Sequence, residues 1–460
     1  MHHKIAFTEV PPRQVKAELS EVMRVDDRYD LVLDLASTGC HLTDAKTGEN
    51  YFDFVGFFGS LPLGMNHPDL LQKLAAHYPP HELLRLVANK PSNSDFVTKE
   101  LANAVRTMKR TGFIPDGFKH LFFVSGGALA NENALKAAMD WKVRKNIASG
   151  VNAKDTVDTQ LKGTRILHFK KAFHGRSGYT MSLTKTDPMK VWGFAKHDWP
   201  AIDPPVLRFP LNRRRLKSAA VDESESIDQI CNALEKYPDD IAALIIEPLQ
   251  AEGGDNHFRP QFLRQLRALA DARDFLLIFD EVQTGMGRSG RMWAWQHFDV
   301  APDIFSFCKM AQVGGVLSTA RIDEVPENVF ALHGRINSTF GGDLIDIVRL
   351  NYILQVMQEN QIITNAATVG AYIKSRLEDL MVLYPQYISN IRGRGMMLAF
   401  DLPSVSLRNR FKKLAYQNHL LVLSCGEKSI RFRPMLCMTK EEADEGLEWV
   451  AKTLEDLAAR

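Results

Sequence analysis

Apolar positions along the chain follow two rhythms. From about Met108 to about Gly342, short apolar runs of strand length alternate with longer stretches whose apolar residues recur every three or four positions, the repeat of a helix with one buried face. The strand-like runs are His120 to Val124, Arg165 to Phe169, Ile241 to Ile246 and Phe275 to Asp280; the helical stretches are Ala128 to Lys142, Ile227 to Tyr237 and Gln261 to Ala272. Such alternation predicts an α/β fold with a mostly parallel sheet covered by helices. Phe275 to Phe279 is wholly apolar, which predicts a strand buried on both faces, and the chain sets Asp280 and Glu281 where it ends, with Thr284-Gly285 as the turn. A second run, Asp303 to Cys308, ends on Lys309. Ligands of open α/β sheets bind at the carboxyl ends of the strands, so an acid and a lysine delivered there are candidates for chemistry. Taken singly, each is also explained as a helix cap or a solvated strand end.

The flanks read differently. Up to about Gly64 a short strand-like run, Leu31 to Leu35, precedes a turn at Asp44 to Glu49 that has the composition of a hairpin tip. Helical patterns follow at Pro68 to Tyr78 and, with Ser94 as N-cap, at Asp95 to Met108. Polar Ile147 to Gly163 and Pro- and Arg-rich Pro200 to Glu223 read as loops, with Arg213-Arg214-Arg215 a solvated basic cluster. Beyond Gly342 come long helical patterns to Tyr384, short strands at Met396 to Phe400 and Ser429 to Phe432, and a last helix from Lys440. The expected division is therefore an N-terminal segment of a small domain (1–64), a large domain (65–342) and a C-terminal part (343–460).

Composition narrows the function. With 460 residues and 45% hydrophobic content, the chain can bury a large core. Its net charge of +2 comes from nearly balanced acids and bases, which gives no case for nucleic acid or a membrane surface as partner. The five cysteines lack C-x-x-C spacing, which points to free thiols in a reducing compartment, with cytoplasm the expected location. No apolar run reaches the ~18 residues of a spanning helix, and the start, M-H-H-K-I, lacks a signal-peptide layout.

Asp280 and Lys309 gain meaning as a pair. A sheltered lysine has its ammonium pKa lowered and forms Schiff bases, while a carboxylate keeps a pyridinium nitrogen protonated; pyridoxal phosphate (PLP) needs both. Asp280 to Gly290, D-E-V-Q-T-G-M-G-R-S-G, resembles the pattern Asp-Glu-Val-x-(Thr/Ser)-Gly-x-Gly-Arg-x-Gly of the class III aminotransferases, which are fold-type I PLP enzymes. The resemblance puts the family's Schiff-base lysine at Lys309 and its ring-nitrogen acid at Asp280, with Gln283 also in the cofactor-binding set. It implies a large PLP-binding domain and a smaller α+β domain built from both termini.

Other segments meet the same family in order. Val124 to Lys136 sets a small-residue turn between a strand and a helix, where first-turn N–H groups can hold a phosphate over Gly127 and Ala128; close packing alone also explains the glycines. Many family members carry a hydroxyl and an acid at those two positions, so backbone donors should dominate here. The form G-G-A-L-A-N-E-N-A-L-K-A-A resembles the lysine 6-aminotransferase branch. In A-F-H-G-R-S-G-Y-T, the resemblance implies that Phe173 stacks on the cofactor ring, with His174 nearby, and that Arg176 binds a substrate carboxylate, a task suited to a bidentate guanidinium. Without the resemblance, Phe173 is better explained by core packing and His174 as a satisfied structural histidine.

Glu252 in E-P-L-Q-A-E-G-G matches the acid that covers an arginine near the C-terminus in ω-aminotransferases. That arginine falls on Arg431, with Arg433 two positions away, and Ala251 departs from the usual glycine. Ile336 to Gly342 resembles the segment whose threonine, here Thr339, reaches the partner subunit's cofactor phosphate; Ser338 joins the cofactor set and Asn337 the substrate set. The run Asn89 to Asp95 matches the lysine branch, whereas Phe58 and Gly59 replace a smaller pair at the substrate entrance.

The resemblance implies a homodimer with composite sites that moves the ε-amino group of L-lysine to 2-oxoglutarate, giving 2-aminoadipate 6-semialdehyde and L-glutamate. Two alternatives stay open: another class III ω-aminotransferase, acting on ornithine, 4-aminobutyrate or acetylornithine, and a non-catalytic interaction protein on the same fold.

Overall fold

A computed structural model describes residues 9–26, 28–89, 95–154 and 157–459. Its centre is a seven-stranded sheet in the order Phe118–Val124, Gly314–Thr319, Ile304–Phe307, Leu276–Asp280, Ile241–Ile246, Arg165–Phe169 and Ala201–Ile202. All neighbours run parallel except at Gly314–Thr319, which is antiparallel to both strands beside it. The apolar run in Leu276–Asp280 is explained by burial on both faces: Leu277 and Phe279 join one core, Leu276 and Ile278 the other. Helix Gly127–Ala148 packs on the second face and buries Ala130, Ala134, Leu135 and Trp141 there.

A second, four-stranded antiparallel sheet runs Ser389–Arg394, Met397–Asp401, Ser429–Phe432, Leu423–Cys425. The N-terminal hairpin, His41–Thr43 with Asn50–Asp53, pairs with Leu420–Leu421, so the two ends of the chain share one sheet. Arg288, from the D-E-V-Q-T-G motif, clamps the two parts together: its buried guanidinium donates to the carbonyls of Met396 and Pro434, at 3.2 and 2.5 Å.

Three expectations are corrected. Leu31 to Leu35 forms no strand; it contributes one bridge, Leu33 to Asp44, and the hairpin uses His41–Thr43 instead. The segment from Pro200 to Glu223 is not a loop, because Ala201–Ile202 is an edge strand and helix Arg213–Lys236 starts inside it. Asn212 accepts from the Arg215 N–H and starts that helix, so the three arginines form its first turn. Only its second half was read, as Ile227 to Tyr237, because its first half buries Ala219, Glu223 and Ser226 rather than large apolar residues. The helix expected from Asp95 begins at Lys99, capped by Thr98, whose hydroxyl accepts from Leu101 N at 3.2 Å. Ser94 and residues 90–93 of the Asn89 to Asp95 run lie outside the described residues, as does the M-H-H-K-I start.

Strand Gly314–Thr319 escaped notice because glycines begin it. A Cβ at Gly315 would lie 2.5 Å from the Phe307 ring and 2.7 Å from the Phe122 carbonyl, so close strand packing demands glycine there. Among the described residues no helix is long and apolar enough to cross a membrane, and no cluster of side chains could hold a metal ion.

Candidate active site

Asp280 and Lys309 end adjacent parallel strands, in register as Ser306 with Asp280. Asp280 is 3% exposed and fully engaged. Its Oδ2 accepts from His174 Nδ1 at 2.8 Å and Asn131 Nδ2 at 2.7 Å, and its Oδ1 accepts from Val282 N at 3.0 Å. Asn131 is fixed in turn by donating to the His174 carbonyl at 2.8 Å and accepting from Ser306 Oγ at 2.5 Å. The carboxylate thus has one orientation, set by two neighbouring strands and a helix.

Lys309 is half-buried, and its Nζ donates to the Phe58 carbonyl at 3.0 Å. Desolvation, with the like charges of Arg431 and Arg433, pulls its pKa down to about 7. Phe57 and Phe58, at φ 51° and 60°, hold a left-handed turn that brings this carbonyl to the lysine. Beside Asp280, helix Gly127–Ala148 begins without any side-chain cap, leaving first-turn N–H groups to an external acceptor. Gly127 fits there because a Cβ would lie 2.8 Å from Val282 Cγ1; Ala128 is half-buried next to it.

The two arginines of S-I-R-F-R-P prove unlike. Arg433 is fully buried and paired with Asp255, at 2.9 and 2.5 Å, and its Nε donates to Gln283 Oε1 at 2.9 Å. Arg431 is equally sheltered, but its Nε and Nη1 have no partner. A buried guanidinium left unpaired is costly unless a ligand completes it, which singles out Arg431 as the carboxylate receiver. Glu252, expected to cover Arg431, is paired here with Lys190. Lys190 is drawn to it from the turn Pro188–Lys190 and also lies 5.3 Å above the Phe173 ring.

The family pattern "Aminotransferase class-III" matches residues 25–454. Over 451 residues the chain is 45% identical to the L-lysine-epsilon aminotransferase of Mycobacterium tuberculosis, covering 98% of this chain and 97% of that one. With the L-lysine-epsilon aminotransferase of Streptomyces clavuligerus it shares 42% over 450 residues, 97% and 95% of the two chains. The solved lysine aminotransferase from M. tuberculosis matches with a TM-score of 0.91 at 44% identity, covering 97% of this chain and 100% of that one. The chain belongs to the class-III aminotransferases.

Within this aminotransferase the remaining predicted residues fall at the rim. Phe173 is half-buried, its N–H donating to Glu247 Oε1 at 2.9 Å, and Arg176 is exposed three residues on. Glu247 is buried beside Asp280, and desolvation pushes its pKa up to about 7. Its other oxygen accepts from Ala251 N at 3.0 Å, so the alanine that replaces the usual glycine leaves the turn closed. Asn337 donates to Asp95 at 3.0 Å, and Ser338 Oγ accepts from Phe340 N at 3.3 Å. Ser125 Oγ, in the turn before the uncapped helix, donates to the Phe340 carbonyl at 2.9 Å, which ties the segment carrying Thr339 to that turn. Sequence reasoning missed Asn131, Ser306 and Lys190. Asn131 sits in the quoted N-E-N stretch of the phosphate-turn helix, and its polarity on an otherwise apolar, buried face was the available signal.

Proposed function

We propose that this aminotransferase moves the ε-amino group of L-lysine to 2-oxoglutarate, giving 2-aminoadipate 6-semialdehyde and L-glutamate, with PLP as cofactor. The choice of lysine follows the relatives, which are named for that activity and align over nearly the whole chain. The site observation that carries the reading is Arg431, a buried guanidinium with two unpartnered nitrogens whose charge reaches Lys309. A non-catalytic interaction protein would have no use for a lysine held half-neutral beside an open carboxylate receptor.

The residues fit the cofactor. Uncapped N–H groups at Gly127 and Ala128 would hold its phosphate, Phe173 would stack on its ring, Asp280 would hold a proton on its ring nitrogen, and Gln283 lies on the turn beside them. Ser338 and Thr339 would reach the phosphate across a homodimer. When bound, PLP supplies an electron sink for the substrate carbon that carries the amine.

Lys309 would tether the cofactor and, once free, would be the base that holds the proton taken from the lysine ε-carbon. A pKa near 7 suits both duties. Arg176 would hold the distant α-carboxylate of lysine while Glu252 covers Arg431. With glutamate, Glu252 swings aside, Arg431 takes the α-carboxylate and Arg176 the γ-carboxylate, and Asn337 borders the substrate.

The proposal extends to a cytoplasmic protein divided at about residues 64 and 342. The unpaired state of all five cysteines supports that compartment, and the sheet shared by the two chain ends supports that division. A panel of L-lysine, L-ornithine, N-acetylornithine and 4-aminobutyrate with 2-oxoglutarate tests the donor. Lysine should give the highest kcat/KM; a clear preference for any other donor would overturn the assignment.

A further inference from the structure

The pairing of Glu252 with Lys190 bears on how two substrates share one site. Both side chains are about a quarter exposed, at 25% and 24%. The backbone of Glu252 is anchored, its carbonyl accepting from Gly426 N at 2.8 Å, so its freedom lies in the side chain. Lys190 is fixed at the other end, since Asp187 accepts from Met189 N at 3.0 Å and shapes the turn that presents it. Apart from Asp187 and Glu252 itself, the charges that act on Lys190 are cations: Arg431, Arg176 and Arg28. Lys190 and Arg431 therefore carry like charges that act on each other, and Glu252 is paired with Lys190. The structure shows that carboxylate on the lysine and the guanidinium empty.

We infer that Lys190 is a positioning residue for Glu252: it competes with Arg431 for the carboxylate and holds it away, so that the site rests open to an α-carboxylate. An incoming dicarboxylate then finds Arg431 free, whereas an ω-amine substrate needs Glu252 to leave Lys190 and cover Arg431. The inference rests on the proposed roles of Arg431 and Glu252, and it adds the residue that sets the balance between the two poses. Lys190 touches no reacting atom in this scheme. Its effect should appear in dicarboxylate affinity rather than in the rate of proton transfer.

The probe is glutarate, which has both carboxylates but neither amine nor ketone, titrated into the PLP-loaded enzyme by calorimetry. Lys190→Met should weaken glutarate roughly three- to ten-fold, the range expected when a partly exposed ion pair ceases to oppose a competing one. It should raise KM for 2-oxoglutarate by a similar factor with little change in kcat. Lys190→Arg should restore wild-type affinity. In a Glu252→Gln background, Lys190→Met should have no further effect, because the carboxylate to be positioned is gone. Equal weakening in both backgrounds would mean that Lys190 meets the ligand or merely supports the fold, and it would overturn the inference. Unchanged affinity in Lys190→Met would do the same. Arg431→Ala separates the two levels: if glutarate still binds that variant normally, the dual-carboxylate reading itself fails and the role of Lys190 falls with it.

Discussion

The two sides of the site differ in how completely their polar groups are satisfied. On the cofactor side, Asp280 takes hydrogen bonds from His174, Asn131 and Val282, and Asn131 is itself locked by Ser306 and the His174 carbonyl. On the substrate side, Arg431 is buried without a partner at two nitrogens, and Glu252 is paired with the partly exposed Lys190. A carboxylate held by three donors on both oxygens has one arrangement and suits a partner that never changes, even though His174 Nε2 itself has no partner. Charges with alternative partners have two, and a site that must take lysine by one end and glutamate by the other needs two. The contrast explains why the substrate side keeps a buried guanidinium with two unpaired nitrogens, which a site with no ligand to receive would reject.

The largest effect should come from joining the two sides. Lys309→Ala removes both the tether and the proton carrier and should lower single-turnover rates by about 10³-fold or more, while some cofactor stays bound through the helix N-terminus. Near-normal turnover would break the comparison at its root. Asp280→Ala follows: its rate should fall by more than the ~1.5–3 kcal/mol of a lost charge-assisted hydrogen bond explains, since the electron sink weakens as well. A slight loss would make the carboxylate a structural group. Arg431→Ala sharpens the substrate side. The 2-oxoglutarate half-reaction should weaken roughly 10- to 100-fold, as for truncation of one partner of a charged pair, while the lysine half is spared; Arg176→Ala should harm both. Equal damage to both halves in Arg431→Ala would remove the two-pose side of the comparison.

The smallest effect is a pH dependence. Lys309 has a folded pKa of about 7, against ~10.4 in an unfolded chain. Folding thus disfavours its proton, and the penalty is full below about pH 7 and fades as pH rises toward ~10.4, so this group makes stability climb across that window. Its neutral, reactive fraction passes the midpoint near pH 7. Trapping the cofactor-free protein with a small aldehyde and borohydride should label Lys309 with that midpoint, whereas a midpoint near ~10 would show an ordinary, solvated amine.

What was legible in the chain tracks these physical differences. Leu276–Asp280 and Ile241–Ile246 announced themselves because burial on both faces leaves no polar interruption, and the last helix because Thr439 and Glu442 form a capping box ahead of it. Helix Val405–Gln417, with only Phe411, Leu414 and Ala415 buried, carried too thin an apolar stripe to be read. The class of chemistry was legible in Asp280 and Lys309. The choice between Arg431 and Arg433 was not, since they stand only two positions apart, Arg431 in strand Ser429–Phe432 and Arg433 just past it, and only Asp255, far away in sequence, distinguishes them. Lys190 was invisible for the same reason: a lysine in a short turn acquires meaning only from the carboxylate that the fold brings to it.

The central claim is that one site presents lysine by its side-chain amine and glutamate by its α-amine. Single-turnover reaction of the PLP-loaded enzyme with lysine labelled separately at its α- and ε-nitrogens tests it most directly. The ε-label should appear on the cofactor, and the α-label should stay with the product. Transfer of the α-label would contradict the account.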